Sequence, residues 1–227
     1  MYKYLIFDLD DTLMDFKLAE KTAIAKVFTR HGIDDSDQTI ELYSKINKEF
    51  WESFERGDIK REEIFTGRFE RFLKVVGKAL SPEKLSDDYF DKLSLCGFVY
   101  DGAKELLKAL SKNHTLIAAT NGHLPIQKSR IALSGLEKYF DGGIYISEAL
   151  GTQKPEKEFF DIILSDLKNP PKSEVLVLGD SLTSDILGAK NSGLDSCYVD
   201  LRGKGGGEEL YTYRVTSLKE ILNLLKG

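Results

Sequence analysis

The chain is expected to fold as an α/β protein: a mostly parallel sheet with helices on both faces, interrupted by an all-helical insert. Three observations predict this. Short apolar segments bounded by polar or glycine residues lie at 4–7, 115–119, 143–146, 174–178 and 196–199, with the length and flanks of buried strands. Helical patterns at 102–110, 124–133, 155–167 and 185–191 separate the later ones, an alternation that builds parallel sheets. Residues 15 to 95 break the alternation and read as helix throughout.

Taken in order, the first strand is the run Tyr4-Leu5-Ile6-Phe7, which finishes in DLDDT at 8–12. Four helices follow at about 18–31, 39–55, 61–76 and 82–93, where Ile46, Phe50 and Phe54, or Phe65, Phe69 and Phe72, recur at helical spacing. Ser81 before Pro82 is a helix start. This insert should form a small bundle over the C-terminal end of the first strand, with its stripes as bundle core. The expected division is 1–14 with 96–227 as the α/β core, and 15–95 as the helical domain. Ser217 and Glu220 form a capping box opening a last helix at 218–225.

With 227 residues, 41% hydrophobic, the chain can bury one large core or two modest ones. A net charge of -5 argues against binding a nucleic acid polymer, yet a metal and one lysine can still make a local positive pocket for a small phosphorylated substrate. Cys96 and Cys197 read as buried thiols, not a staple. No apolar run approaches the ~18 residues of a membrane span, and MYKYLIFDLDD lacks the features of a signal peptide. A cytoplasmic protein is expected, without membrane partners, as monomer or homodimer.

Clustered carboxylates at a strand end cost energy unless a cation, a proton or a reaction uses them. Asp8 can serve as a nucleophile and, through its other oxygen, as a metal ligand. Asp10 can protonate a leaving alkoxide and then activate water, while its carbonyl ligates a hard metal. Acidic strand-end turn formers are the plainer account. Asp11 reads as a turn residue, and Asp15 as the cap or hinge of the first inserted helix. Thr120 ends a strand before a helix start, where its hydroxyl and the amides of Asn121 and Gly122 suit phosphoryl oxygens. Lys154 can pair with Asp8 and neutralise a transferring phosphoryl group, and Pro155 should start a helix. Asp180 is the third protein ligand for an all-oxygen Mg²⁺ site. Asp185, in a first helical turn, would hold a ligand water or orient Lys154, with charge compensation as its alternative. His123 reads as an exposed early-helix residue, and Gln127 and Arg130 as ordinary surface positions.

These segments, in this order and spacing, resemble the haloacid dehalogenase-like hydrolase superfamily. The resemblance implies a Rossmann-like core with an inserted four-helix cap, Asp8 as nucleophile, Asp10 as acid/base, Thr120 and Lys154 as catalytic groups, and Asp8, Asp10 and Asp180 around Mg²⁺. Asn121, Gly122 and Asp185 would face substrate or support those groups. The usual first motif has glycine where this chain has Asp11. INKEFWESFERGDI at 46–59, with TNG, SEALG, KP and GDS, resembles the YjjG- and YfnB-like branch. That branch implies a phosphatase, acting through an aspartyl-phosphate on pyrimidine nucleoside 5'-monophosphates. Cap closure would then bring Phe16, Trp51 or Arg68 near the leaving group.

Other readings stay open at this level. A sugar-phosphate phosphatase or phosphosugar mutase would use the same phosphoenzyme. A phosphoacceptor regulatory module also gathers aspartates, threonine and lysine around Mg²⁺, though its acidic pair and nucleophile come from different strands. A dehalogenase needs neither Asp10 nor a metal.

Overall fold

Six strands build one sheet in which every neighbouring pair is parallel: β1 (Tyr4–Phe7), β2 (Thr115–Thr120), β3 (Ile144–Ile146), β4 (Val175–Gly179), β5 (Asp195–Val199) and β6 (Tyr213–Val215). Their order is β3-β2-β1-β4-β5-β6. The chain therefore winds outward from β1 in one direction and, after β3, returns to β1's other side. That reversal opens a crevice at the carboxyl ends of β1 and β4, where open sheets of this kind hold ligands. Phe7 is level with Ala118 on one side and Leu178 on the other, so Asp8 emerges beside Gly179.

The computed structural model describes residues 1–225, and the chain divides into two units: Met1–Asp15 with the chain from Phe98 onward, and Phe16–Gly97. The first unit holds the sheet with α5 (Ala103–Leu110), α6 (Leu124–Ser134), α7 (Ser147–Leu150), α8 (Lys157–Asp166), α9 (Leu187–Ser192) and α10 (Leu218–Leu225). Alternation along each strand sorts the core in two. Leu5, Phe7, Leu116, Leu176 and Leu178 pack with Leu107, Ile131 and Ile221, while Ile6, Ile117 and Val177 pack with Phe159, Phe160 and Ala189. Burial on both faces explains why these strands read as unbroken apolar runs. Cys96 and Cys197 are buried thiols. Among the described residues, no helix is long and apolar enough to cross a membrane.

The second unit is four helices, α1 (Phe16–Arg30), α2 (Asp37–Glu55), α3 (Arg61–Val76) and α4 (Pro82–Leu93). Ser36 and Ser81 cap α2 and α4 with their hydroxyls. Ile46, Phe54, Phe69 and Phe72 are buried, and Phe28 stacks on Phe72 at 4.8 Å between centroids. Inside this apolar packing lies a polar chain. Asn47 donates to Glu20 at 2.6 Å and accepts from Arg68 at 2.8 Å, and the Arg68 guanidinium lies 4.8 Å from the Tyr89 ring.

Two local expectations are corrected, and one strand was not expected. β6, at three residues, is too short for a periodicity to announce it. The helix expected from Pro155 opens instead at Lys157, because a turn closed by Glu156 N–H to the Gln153 carbonyl at 2.7 Å precedes it. The segment from Asp185 begins as a wider π-helical turn, Leu182–Ile186, before α9.

Because Asn47 satisfies two buried ionic groups at once, Asn47→Ala should destabilise the helical unit by about 1–3 kcal/mol. The single tryptophan, Trp51, sits in α2 and reports that unit's unfolding in urea. An unchanged midpoint would contradict this role.

Candidate active site

Lys154 organises the crevice. Its ammonium, 2% exposed, donates to Asp8 Oδ1 at 2.7 Å, Asp185 Oδ1 at 2.6 Å and the Ala119 carbonyl at 2.9 Å. Three acceptors saturate its three N–H bonds, so the cation is fixed in place. Asn121 secures the backbone behind it, donating to the Lys154 carbonyl at 2.8 Å and accepting from the Lys154 N–H at 3.0 Å. The Lys154–Pro155 peptide is cis.

Asp8 follows β1 and is buried, and its second oxygen accepts from the Thr12 hydroxyl at 3.0 Å. Thr12 reaches back because the chain turns tightly after Asp10. Asp11 has φ 63°, a left-handed backbone that aspartate tolerates and glycine prefers, and its N–H bonds the Met14 carbonyl at 2.7 Å. This accounts for glycine at the equivalent position of the usual motif. Arg202 bonds the Asp11 carboxylate at 2.6 Å. Asp15 stands immediately ahead of α1.

Asp180 follows β4, and Asp185 curls back from the π-helical turn to accept from the Ser181 N–H at 3.1 Å. Gly179 permits this: a Cβ there would lie 2.2 Å from the Asp185 carboxyl carbon. Lys204, on the glycine-rich segment at 203–207, bonds Asp180 at 3.2 Å.

Asp10 points to different partners. Its oxygens accept from Arg130 Nη1 at 2.7 Å and Gln127 Nε2 at 2.8 Å. Gln127 Nε2 also donates to the Thr120 hydroxyl at 2.7 Å, and the Gly122 N–H reaches that hydroxyl at 3.1 Å. Both lone pairs of Thr120 are thereby used, leaving its own O–H as a donor. Gln127 and Arg130 are each 1% exposed, which corrects the expectation of surface roles. His123 is not an exposed helix residue either: it precedes α6, is partly buried and bonds Glu148 at 2.8 Å. Phe16 opens α1, Trp51 packs edge-on against Phe54 at 5.9 Å, and Arg68 is buried within its helical unit.

Thr12, Gln127, Arg130, Glu148 and Lys204 were not singled out as site groups by sequence reasoning. For Gln127 and Arg130 a signal existed: polar residues three apart on a helix that follows a strand-end turn share one face.

Charge in the crevice is unbalanced. Asp8, Asp180 and Asp185 each offer an oxygen, all within 4.8 Å of one another. Burial pushes the Asp8 carboxyl well above its usual range, against Lys154, with Asp185 and Asp180 adding to the rise. Burial, then Asp11, pushes Asp180 up to about 7 despite Lys204. Burial alone would lower the Lys154 ammonium, but Asp185 and Asp8 outweigh it and hold it above its ordinary value. Hard, anionic oxygen donors crowded around one fixed cation fit a small divalent ion.

The sequence matches the profile of the haloacid dehalogenase-like hydrolases over residues 2–193. The chain belongs to this family. It is 35% identical over 226 residues to pyrimidine 5'-nucleotidase PynA of Streptococcus pneumoniae, covering 99% of this chain and 95% of that one. It is 32% identical over 225 residues to pyrimidine 5'-nucleotidase YjjG of Escherichia coli, covering 99% and 98%. The crystal structure of the HAD-hydrolase YfnB from Bacillus subtilis, bound to magnesium, superposes with a TM-score of 0.94 at 33% identity, covering 100% of this chain and 99% of that one.

A carboxyl raised to about 7 is protonated in the folded chain at pH values where the unfolded group has ionised. Its contribution to stability is fully present below the ordinary carboxylate range and is lost as pH rises through about 7. Without added metal, the melting temperature should therefore rise from pH 8 to pH 6, and rise less in Asp180→Asn. Identical slopes in the two proteins would contradict the shift.

Proposed function

We propose that this hydrolase is a magnesium-dependent phosphatase that works through an aspartyl-phosphate on Asp8, with pyrimidine nucleoside 5'-monophosphates as substrates. The observation that carries the reading is the pairing of Asp8 with the fixed ammonium of Lys154, at the strand end that also supplies Asp10.

Asp8, Asp180 and the carbonyl of Asp10 would hold the Mg²⁺, with Asp185 supporting through Lys154 and Ser181. When bound, the ion offsets repulsion between the attacking carboxylate and the phosphoryl oxygens. Asp8 attacks phosphorus, the bond to the ester oxygen breaks, and Asp10 in its acid form gives that oxygen a proton. Lys154, the Thr120 hydroxyl and the nearby amides bind the phosphoryl oxygens. Asp10, now a carboxylate, takes a proton from water as that water attacks phosphorus. The bond to Asp8 breaks, inorganic phosphate departs and both aspartates are restored.

Two features weigh against dehalogenation: halide leaves without a proton, so Asp10 would have no acid role, and the displacement needs no metal, so Asp180 would have no ion to hold. The nucleotide preference rests on the pyrimidine 5'-nucleotidases to which the chain is 35% and 32% identical.

Purified protein should release phosphate from p-nitrophenyl phosphate with magnesium, lose activity in EDTA, and lose at least about 10³-fold as Asp8→Asn. Undiminished turnover by that variant would end the reading. Among phosphate esters, pyrimidine nucleoside 5'-monophosphates should give higher kcat/KM than hexose phosphates or phosphoglycolate; the reverse order would favour a sugar-phosphate phosphatase. Phosphoryl return to a bound sugar bisphosphate, without phosphate release, would mark a mutase.

A further inference from the structure

The geometry points to Gln127 and Arg130 as a positioning clamp that aligns Asp10 and couples it to Thr120, an inference that rests on the acid/base and phosphoryl-binding roles proposed above. Arg130 Nη1 spans Asp10 Oδ1 at 2.7 Å and Gln127 Oε1 at 2.9 Å. Gln127 Nε2 spans Asp10 Oδ2 at 2.8 Å and Thr120 Oγ1 at 2.7 Å. Each of these nitrogens carries two N–H bonds, and each has two acceptors. The amide can sit only one way: turned over, its oxygen would face the Asp10 carboxylate and its NH₂ would face Arg130. Sequence position adds to this. Gln127 and Arg130 are three apart on α6, so both reach the end of β1 from one helical face.

Placing a guanidinium at 1% exposure is costly unless its partners are specific, and here one partner is the side chain whose proton the reaction moves. The site also makes room for the clamp. A Cβ on Gly122 would fall 2.5 Å from Gln127 Cγ and 2.6 Å from its amide carbon, so the absence of a side chain at 122 lets Gln127 lie against the phosphoryl-binding turn.

Both Asp10 oxygens accept hydrogen bonds from this pair. To act as an acid, Asp10 would carry its proton on the second lone pair of one of those oxygens, beside the clamp contact. The clamp thus defines where the carboxylate returns after each proton transfer, and Gln127 ties that position to the hydroxyl that would touch the phosphoryl group. Neither residue touches the reacting atoms; their effect runs through Asp10 and Thr120.

The test compares Gln127→Leu, Arg130→Met, Arg130→Lys and Gly122→Ala, in full-length protein with magnesium, on a nucleoside 5'-monophosphate and on p-nitrophenyl phosphate. kcat/KM includes steps only up to ester cleavage, where an alkyl leaving group needs the proton and p-nitrophenolate does not. Gln127→Leu and Arg130→Met should lose about 100-fold on the nucleotide and less than about 5-fold on p-nitrophenyl phosphate. Arg130→Lys should recover part of the loss. Gly122→Ala crowds both Gln127 and the phosphoryl-binding turn, so it should lower both esters but the nucleotide at least about 10-fold more. Circular dichroism checks each fold, and should Arg130→Met fail to fold, Gln127→Leu and Gly122→Ala decide. Equal losses on the two esters, or none, would overturn the clamp and reduce the Arg130 pair to scaffolding. Absence of turnover in the parent protein would instead reject the phosphatase reading itself.

Discussion

One buried ammonium holds the site together. Lys154 is the point where the ends of three strands and the turn before α8 meet, through Asp8 after β1, Ala119 in β2 and Asp185 after β4. Burial of a cation is tolerable only with such partners, and the same partners would be mutually repulsive without it. The sheet order supplies the opportunity: with β1 between β2 and β4, all three strand ends open on one edge. The lysine does not neutralise the edge, however. Asp180 pairs with the half-exposed Lys204 and remains raised to about 7, which is the physical demand that a divalent ion would meet.

The sequence announced the parallel α/β core and the helical insert because both rest on periodicity. Strands such as Val175–Gly179 are buried on two faces and so unbroken in hydrophobicity, while α2 and α3 carry aromatic stripes at helical spacing. The family was legible for a different reason: DLDDT, TNG and GDS each sit where a strand ends and KP in the turn before α8, so their chemistry is attached to elements the periodicity had already located. β6 and the π-helical turn before α9 were not legible. The first has three residues, and the second differs from an α-helix by a hydrogen-bond shift that residue types do not encode.

The buried polar residues on helices share a pattern. Gln127, Arg130 and Asn47 all lie on helices, where polar side chains most often face water, and each is instead turned inward to satisfy another ionic group. Such burial depends on what stands opposite, and the opposite partner is distant in sequence: Asp10 for Arg130, Glu20 for Asn47. Asn121, expected to face substrate or to support the catalytic groups, bonds both backbone groups of Lys154 through its amide, fixing the cation from behind.

Glycine placement gives the site its remaining precision. Gly179 is the last residue of β4 and Gly122 stands two residues past the end of β2, and at each a side chain would collide with a carboxylate or carboxamide that works at the site. Asp185 needs the first space to span Lys154 and Ser181; Gln127 needs the second to span Thr120 and Asp10. The two halves of the crevice are thus built alike. In each, a glycine at or just past a strand end leaves space, and a polar side chain from the following helical segment folds back across it. On the β4 side that arrangement fixes Lys154, which bonds Asp8; on the β2 side it fixes Gln127, which bonds Asp10, and both aspartates follow the one strand, β1, that lies between.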